Sequence, residues 1–294
     1  MKDKIDSFKS NGFIHYENLL DKKECNKLYL KLKNNRQWNK DLFQSEDKFK
    51  EEFKDNPKLK KTNPGKGIQN LVDDCDLNFI EKNPNIIETL TSILGSNYEI
   101  MLSKFVVAVP VQWMPNYLKI INQNSLISNF NPYIKKEFRD VTYFRGIDYH
   151  MDSIDWEEQD NHFITMYVYL NSVDENMSPL NIIKKSHMFG HTSFPHYIKD
   201  YPKENYLEYS SDNNNFKKFE KEMLVGETGS VYFWTSNTLH GTAPSNSEKE
   251  DFRISLRYLI KKNKSSKSLL SEMLPENKVG ATKIEKDNYK RILI

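Results

Sequence analysis

The sequence has little cysteine: its 294 residues include two thiols, Cys25 and Cys75. Their spacing is not that of a metal site, and nothing else in the chain suggests a disulfide framework. The sequence also has no internal repeat and no linker rich in glycine, serine or proline. These absences favour a single domain, residues 1–294, in a reduced, cytoplasmic compartment.

Long apolar runs and an excess of charge are missing as well. The longest apolar run, residues 105–114, contains Pro110 and Gln112 and is far too short to span a bilayer. The N-terminal sequence MKDKIDSFKSNG is charged and lacks the apolar region of a signal peptide. Lys and Arg (43) nearly balance Asp and Glu (41), and the basic residues are dispersed. We therefore expect a soluble protein whose main partner is neither a membrane nor a nucleic acid.

Residues 1–97 are typical of helices. Asp21, followed three residues later by Glu24, predicts the start of one helix. Asn83, followed by proline, predicts the start of another. Residues 36–70, which lie between them, are mostly charged and predict a loop with marginal helix. Apolar residues at helical spacing line one face of each helix: Cys25, Leu28, Tyr29 and Leu32 in the first, and Ile86, Ile87, Leu90, Ile93 and Leu94 in the second.

Short strands are predicted after residue 98. Six segments are rich in β-branched and aromatic residues, with turn residues between them: EIMLSKFVVAVP, VTYFRGIDYH, HFITMYVYL, PLNIIKK, GSVYFWT and FRISLRYLI. They predict an α+β fold with a double-stranded β-helix (jelly roll, cupin-like) core at about 98–262 and the N-terminal helices on one face. Residues 263–294 then form a C-terminal tail. Residues 111–140 and 188–222 lack clear periodicity, and we expect both to be loops that cover a binding site.

A His-x-Asp sequence, His150-Met151-Asp152, ends one predicted strand. Because side chains alternate along a strand, the imidazole and the carboxylate point to the same side. Together they could supply two of the three ligands of a facial triad, which leaves open positions on Fe(II). Taken alone the pair is unspecific, since a surface loop with two polar residues explains it better.

The second candidate segment is GETGSVYFWTSNTLHGTAPSNSEKEDFRISLRYLI, which contains His240 between two predicted strands. In the later strand Arg253, Ser255 and Arg257 share one face, and apolar residues occupy the other. An arginine beside a hydroxyl is suited to bind a carboxylate, because the guanidinium is always charged and pairs in a bidentate manner. The alternative for Arg253 alone is an ordinary surface arginine.

The full order is His-x-Asp, a long interval, a second His, and an Arg thirteen residues later (253 − 240). This order resembles the phytanoyl-CoA dioxygenase family of iron(II)- and 2-oxoglutarate-dependent oxygenases. Three further blocks are similar to that family and come in the same order: DSFKSNGFIHYENLLDKKECNKL, ITMYVYLNSVDENMSPLNIIKKSH and HGTAPSNS. The resemblance implies a dioxygenase that uses Fe(II), 2-oxoglutarate and O2, hydroxylates or otherwise oxidises a small molecule, and releases succinate and CO2.

The resemblance also implies roles for individual residues. The iron ligands would be His150, Asp152 and His240. Arg253 would bind the distal carboxylate of 2-oxoglutarate, with help from Thr242 and, as a weaker candidate, Ser255. Halogenating relatives replace the carboxylate ligand with a small residue, so Asp152 favours hydroxylation or a related oxidation.

The sequence departs from the family's pattern in two respects. Ser178 and Lys185 stand where the family usually has glycine, and the insertion at 111–140 is longer than usual. Neither departure involves the expected iron or cosubstrate residues. Both weaken any inference about the substrate.

The substrate is predicted less sharply than the cofactors. Arg145 and Trp156 flank the His-x-Asp sequence and Arg257 shares the face of Arg253, so these three are candidate substrate-binding residues. The arginines would suit an anionic small molecule.

Other polar residues have simpler interpretations. Lys104 could reach the cosubstrate, but an exposed strand lysine is the simpler reading. A second metal site at His187, His191 and His196 is disfavoured, because no acidic or cysteine partner lies among them.

Two alternatives remain open for the whole chain. One is a cupin-like metalloenzyme without 2-oxoglutarate chemistry. The other is a jelly-roll metal-binding protein that has kept the fold and lost the chemistry.

Overall fold

The computed structural model describes residues 1–55, 70–123, 130–144, 146–152, 162–189, 197–210, 215–242, 252–263, 267–274 and 290–293. The α-helices in these ranges are α1 (Lys2–Asn11), α2 (Lys22–Asn34), α3 (Glu46–Asp55), α4 (Asn78–Glu81), α5 (Pro84–Leu94), α6 (Asn116–Gln123) and α7 (Leu269–Met273). The strands are β1 (Phe13–Tyr16), β2 (Tyr98–Ala108), β3 (Thr142–Phe144), β4 (Ile147–His150), β5 (Phe163–Tyr169), β6 (Leu180–Ile183), β7 (Tyr197–Tyr201), β8 (Tyr206–Ser210), β9 (Lys217–Leu224), β10 (Val231–Thr235), β11 (His240–Thr242), β12 (Ile254–Lys262) and β13 (Lys290–Leu293). None of the described helices is long and apolar enough to cross a membrane.

The strands form two sheets. One has six strands in the order β1-β10-β5-β12-β2-β3, and the other has seven in the order β13-β7-β8-β9-β6-β11-β4. Neighbouring strands are antiparallel, apart from the pairs β2–β3 and β13–β7. All six predicted strand segments are confirmed, and the segment VTYFRGIDYH contributes both β3 and β4.

The six-stranded sheet is covered on both faces, and strand β5 shows why. All seven of its residues are buried. Ile164, Met166 and Val168 join the large apolar cluster that contains the N-terminal helices. Tyr167 and Tyr169 point the other way, into a cluster with residues of β6, β9 and β10. The second cluster therefore lies between the two sheets, and the side chains that alternate with the helix-facing ones look into that space.

The two capped helices are as predicted. The Asp21 carboxylate accepts hydrogen bonds from the backbone N–H groups of residues 23 and 24, at 2.6 and 3.2 Å, at the start of α2. Asn83 does the same at the start of α5, at 3.0 and 3.4 Å. Each cap satisfies N–H groups that have no partner within their helix.

The prediction of a loop with marginal helix at 36–70 understates the order of the segment, because ten of its residues form α3. This helix is held by distant groups. The ring of Phe49 lies 4.5 Å from that of Tyr133, and both Glu52 carboxylate oxygens accept hydrogen bonds from Arg139 at 2.7 Å. Those partners are more than 80 residues away, so the local sequence gives no sign of them. Residues 56–69 lie outside the described part of the chain.

The expected covering loops are ordered elements where they are described. In 188–222, strands β7, β8 and part of β9 form an antiparallel ribbon that extends the seven-stranded sheet. In 111–140, α6 and short helical turns join the apolar cluster around the N-terminal helices through residues such as Trp113, Leu118 and Phe130. The absence of periodicity was therefore a poor guide to these segments. Residues 124–129, 190–196 and 211–214 lie outside the described ranges.

The two departures from the family's glycines have a backbone explanation. Ser178 has φ 58° and Lys185 has φ 65°. Both angles lie in the left-handed region, where a side chain is strained and glycine is not. These residues flank β6, so this chain keeps the turn geometry at both ends of the strand without glycine.

Candidate metal centre

Three side chains that could hold a metal ion converge between the sheets: His150, Asp152 and His240. Each offers one ligand atom, and the three atoms lie within 4.8 Å of one another. The Oδ1 atom of Asp152 is 3.6 Å from Nε2 of His240 and 3.9 Å from Nε2 of His150. The described part of the chain contains no other group of this kind.

The seven-stranded sheet brings the two histidines together. His240 begins β11 and lies directly opposite His150, the last residue of β4. Their ring centroids are 4.4 Å apart. Tyr149 and Met151, which alternate with His150 and Asp152, are buried in a separate apolar cluster. The predicted alternation is thus present, and it turns the imidazole and the carboxylate to the same side.

The tautomer of His240 follows from its hydrogen bond. Its Nδ1 atom lies 2.9 Å from the carbonyl oxygen of Thr238. A carbonyl can only accept, so Nδ1 carries the proton and Nε2 presents a lone pair to the site. Burial lowers the pKa of His240 to about 4, against the opposing effect of Asp152. The imidazole is therefore neutral near pH 7, which is the form that binds a metal.

The Asp152 carboxylate is fully buried and receives donors on both oxygens. Thr165 Oγ1 donates to Oδ2 at 2.5 Å, and Trp234 Nε1 donates to the same atom at 2.9 Å. Arg257 Nη2 donates to Oδ1. Burial would raise the pKa of Asp152, but the nearby guanidinium and the two imidazoles outweigh it and hold that pKa well below its ordinary range. The ligand is therefore ionised at neutral pH.

Arg253 is buried and lacks hydrogen-bond partners for two of its donors. Its side chain is on the inner face of the six-stranded sheet, with the residue 1% exposed. Neither Nε nor Nη1 has a partner, and the hydroxyl of Ser255, two residues along the same face, has none either. Leaving buried donors unsatisfied is costly, and an unpaired buried charge is more so. This arrangement fits a carboxylate ligand.

Lys104 was predicted to be exposed, and that prediction is wrong: the residue is 4% exposed. It lies on β2 directly opposite Arg257 on β12. Its neighbours Phe105 and Val107 face the helices, so Lys104 faces the inner space with the two arginines. The alternation of residues along β2 could have shown which face of the sheet Lys104 occupies. It could not have shown that Lys104 is buried, because the burial depends on the second sheet.

The remaining candidates fall in different places. Thr242 is buried on β11, two residues after His240. Arg145 and Trp156 lie outside the described residues, as do His191 and His196.

His187 is buried away from any metal-binding group found in the described residues. Its Nε2 atom is 3.2 Å from the carbonyl oxygen of Lys9. Its ring packs so closely on Gly12 that a Cβ there would lie 2.4 Å from Nδ1. The contacts of His187 are thus structural.

The hydrogen-bond donors Thr165 and Trp234 were missed in the sequence. They lie on adjacent strands of the six-stranded sheet, as direct partners in the register. A faint signal was available for Thr165, because it is a small polar residue on the inner face of a strand whose other residues are apolar or aromatic. Nothing in the sequence links that signal to Asp152, which comes from the other side of the inner space.

Two β-sheets that enclose a His-Asp-His group, with a buried arginine on the facing strand, define a candidate mononuclear metal site of a non-heme enzyme. The family model of phytanoyl-CoA dioxygenase matches residues 8–255. The chain belongs to the phytanoyl-CoA dioxygenase family. Membership supports an oxygenase-type enzyme that depends on iron and 2-oxoglutarate, and the His150–Asp152–His240 group could bind the iron.

Comparison with solved structures finds similar chains at low sequence identity. The non-heme α-ketoglutarate-dependent epimerase SnoN from nogalamycin biosynthesis is 11% identical, with 89% of this chain and 80% of that chain covered and a TM-score of 0.50. The carbocyclase SnoK from the same biosynthesis is 12% identical over 89% and 84% of the two chains, with a TM-score of 0.44. The non-heme monooxygenase ThoJ, as a nickel complex, is 11% identical over 87% and 76%, with a TM-score of 0.47. No curated protein matches the chain by sequence.

Proposed function

We propose that the chain is an Fe(II)- and 2-oxoglutarate-dependent dioxygenase that hydroxylates, or otherwise oxidises, an anionic small molecule. The two sheets would be the halves of a double-stranded β-helix within a single domain, residues 1–294. The observation that carries the proposal is the pair of unpartnered Arg253 donors, buried on the sheet that faces the His-Asp-His group.

The metal end of the site needs three ligands and open positions. His150, Asp152 and His240 would hold the ion, with the His240 imidazole neutral and the Asp152 carboxylate ionised. Fe(II), 2-oxoglutarate and O2 supply the oxidising power when bound, with succinate and CO2 as by-products. The protein's part is to fix the ligands and to exclude water, and the buried strands around the site do both.

The cosubstrate end of the site is built on β12 and β11. Arg253 would pair with the distal carboxylate of 2-oxoglutarate through its free donors, and the Ser255 hydroxyl would add a hydrogen bond. Thr242, on the facing sheet, would assist at the same carboxylate. A dicarboxylate bound in this way would remove the cost of the unpaired guanidinium, which favours it over a neutral ligand.

Arg257 is the described residue best placed to recognise the substrate. Its side chain is 13% exposed, and it already pairs with the Asp152 carboxylate. Lys104 lies directly opposite Arg257, so two cationic side chains besides Arg253 are on this face. We therefore assign an anionic group to the substrate. Arg145 and Trp156 remain part of this proposal on the strength of their place in the sequence.

The rival functions are a cupin-like metalloenzyme without 2-oxoglutarate and a binding protein that keeps only the metal. Release of CO2 from 2-oxoglutarate labelled at C1, with Fe(II) and ascorbate, separates them. We expect slow release without substrate and none from the His240→Ala variant. Release of label at the rate of free Fe(II) would overturn the proposal.

A further inference from the structure

Two donors on the six-stranded sheet meet a single oxygen of the Asp152 carboxylate. The Thr165 hydroxyl and the Trp234 indole N–H both donate to Oδ2, at 2.5 and 2.9 Å. Their residues are 0% and 1% exposed, so no water competes for these bonds. Thr165 and Trp234 are paired across β5 and β10, and the sheet itself sets the spacing between the two donors.

Packing alone does not explain a threonine at this position. The inward residues of β5 after Thr165 are aromatic, Tyr167 and Tyr169, and the outward ones are apolar. Valine has nearly the same shape as threonine and would avoid burying a hydroxyl. The Thr165 hydroxyl instead donates a hydrogen bond to the Asp152 carboxylate. A buried indole N–H likewise requires an acceptor, and Trp234 finds the same atom.

The consequence concerns which oxygen is left for a metal. With Oδ2 accepting two hydrogen bonds, the carboxylate turns Oδ1 toward Nε2 of His240 and of His150, at 3.6 and 3.9 Å. Trp234 also packs on the His240 ring, with centroids 5.0 Å apart, so one side chain orients two of the three groups. Arg257 differs from these two donors, because its Nη2 atom donates a hydrogen bond to Oδ1 itself.

We propose that Thr165 and Trp234 are positioning residues that clamp Asp152 through Oδ2, so that it binds the metal through Oδ1 alone. A carboxylate held in this way occupies one coordination position instead of two. The three ligands would then leave coordination positions open for the cosubstrates. The inference rests on the proposed metal centre but not on 2-oxoglutarate chemistry, so it can be tested without turnover.

The test is an anaerobic Co(II) titration of the full chain, followed by the visible absorption of the bound ion and by heat denaturation of the metal-free protein. Thr165→Val should weaken Co(II) binding about 10- to 100-fold, the usual effect of losing a group that orients a ligand. Thr165→Ser keeps the hydroxyl and should bind within about 3-fold of the wild type. Trp234→Phe keeps most of the ring and should weaken binding about 10-fold.

The matched control is Thr235→Val. Thr235 is equally buried on the same sheet, but its hydroxyl contacts Thr238. This variant should be less stable to heat but should bind Co(II) with the wild-type affinity. The comparison therefore separates loss of a positioning residue from a general loss of stability. Wild-type affinity and an unchanged Co(II) spectrum in both Thr165→Val and Trp234→Phe would overturn the clamp. If the wild type fails to bind Co(II), or His240→Ala binds it equally well, the proposed metal centre is what fails.

Discussion

Arg253 carries a charge that the described part of the protein leaves without a carboxylate partner. Its Nε and Nη1 atoms are buried and unbonded, and its guanidinium lies 5.6 Å from the Tyr167 ring centroid. A cation over an aromatic ring is worth about 1–2 kcal/mol, which is less than the cost of burying an unpaired charge. The unpaired guanidinium therefore favours binding of an anion. Its cost should be measurable as a lower free energy of unfolding in the ligand-free protein.

Arg253→Met should stabilise the protein in the absence of ligands, by about 2 kcal/mol, because it removes unsatisfied buried donors without leaving a cavity. It should also abolish the stabilisation that 2-oxoglutarate gives the metal-loaded wild type, about 2.7 kcal/mol at a hundred times the dissociation constant. Urea denaturation with and without both ligands measures the two effects. Arg253→Lys is the control, since it keeps the charge and should keep part of the response to 2-oxoglutarate. A less stable Arg253→Met that still responds fully would show that the carboxylate is held elsewhere.

The site residues differ in how far the sequence could reveal them. The His-x-Asp pair, His240 and the arginine on a strand face could be predicted, because they belong to short-range patterns that are visible in the sequence. The burial of Lys104 and the two donors to Asp152 depend on which strands become neighbours across the inner space. That information is absent from any local pattern, so these features emerged only with the fold.

Helix α3 shows the same limit at the scale of an element. Its charged sequence predicts marginal helix, and the helix is held by Phe49 and Glu52 through contacts with residues 133 and 139. Strands β7 and β8 were not predicted either, since the turn that joins them, at residues 202–205, contains no glycine. The capped helices and the six apolar strands were predicted because their signals are local.

The Glu52–Arg139 ion pair should be the polar contact that contributes most to holding α3 against the rest of the protein. Its side chains are 16% and 8% exposed, and Arg139 lowers the pKa of Glu52. Glu52→Gln should destabilise the protein by about 2–3 kcal/mol at pH 7, because it leaves a buried guanidinium without its charge partner. Glu46→Gln on the same helix breaks the exposed Lys50–Glu46 pair and should leave the stability nearly unchanged.

The effect of Glu52→Gln should also depend on pH. A carboxyl whose pKa is lower when folded adds stability above its unfolded pKa and loses it as the pH falls through the folded value. The difference between wild type and variant should thus be full at pH 7 and shrink below about pH 4.5, the ordinary pKa of glutamate. Equal destabilisation by Glu52→Gln and Glu46→Gln would contradict a special role for the buried pair.

The turn after β6 allows a substitution that should stabilise the chain. Lys185 is exposed and has φ 65°, so its side chain contributes strain and little packing. Lys185→Gly should raise the free energy of unfolding by up to about 1 kcal/mol, since relief of the left-handed strain exceeds the added entropy of the unfolded chain. Lys185→Ala removes the same side chain but keeps the strain, and thermal denaturation should show no gain for it. A gain of equal size in both variants would mean that the backbone angle is not the cause.

At the scale of the whole molecule, the candidate site depends on both sheets at once. The seven-stranded sheet supplies the two histidines, and the six-stranded sheet supplies Arg253, Arg257 and the donors to Asp152. The apolar cluster between the sheets includes Trp234, whose indole N–H is also one of the donors to the Asp152 carboxylate. Metal, cosubstrate and substrate would therefore meet in one buried place, which is the central claim of the proposed function.

Anaerobic addition of Fe(II) and 2-oxoglutarate to the purified protein tests that claim most directly. Joint binding of the two should produce the weak visible charge-transfer band of a 2-oxo acid chelated to Fe(II), and neither component alone should produce it. The His240→Ala variant, which lacks a ligand, should show no band. A wild-type protein that binds Fe(II) without developing the band, or a band that persists in His240→Ala, would contradict the account.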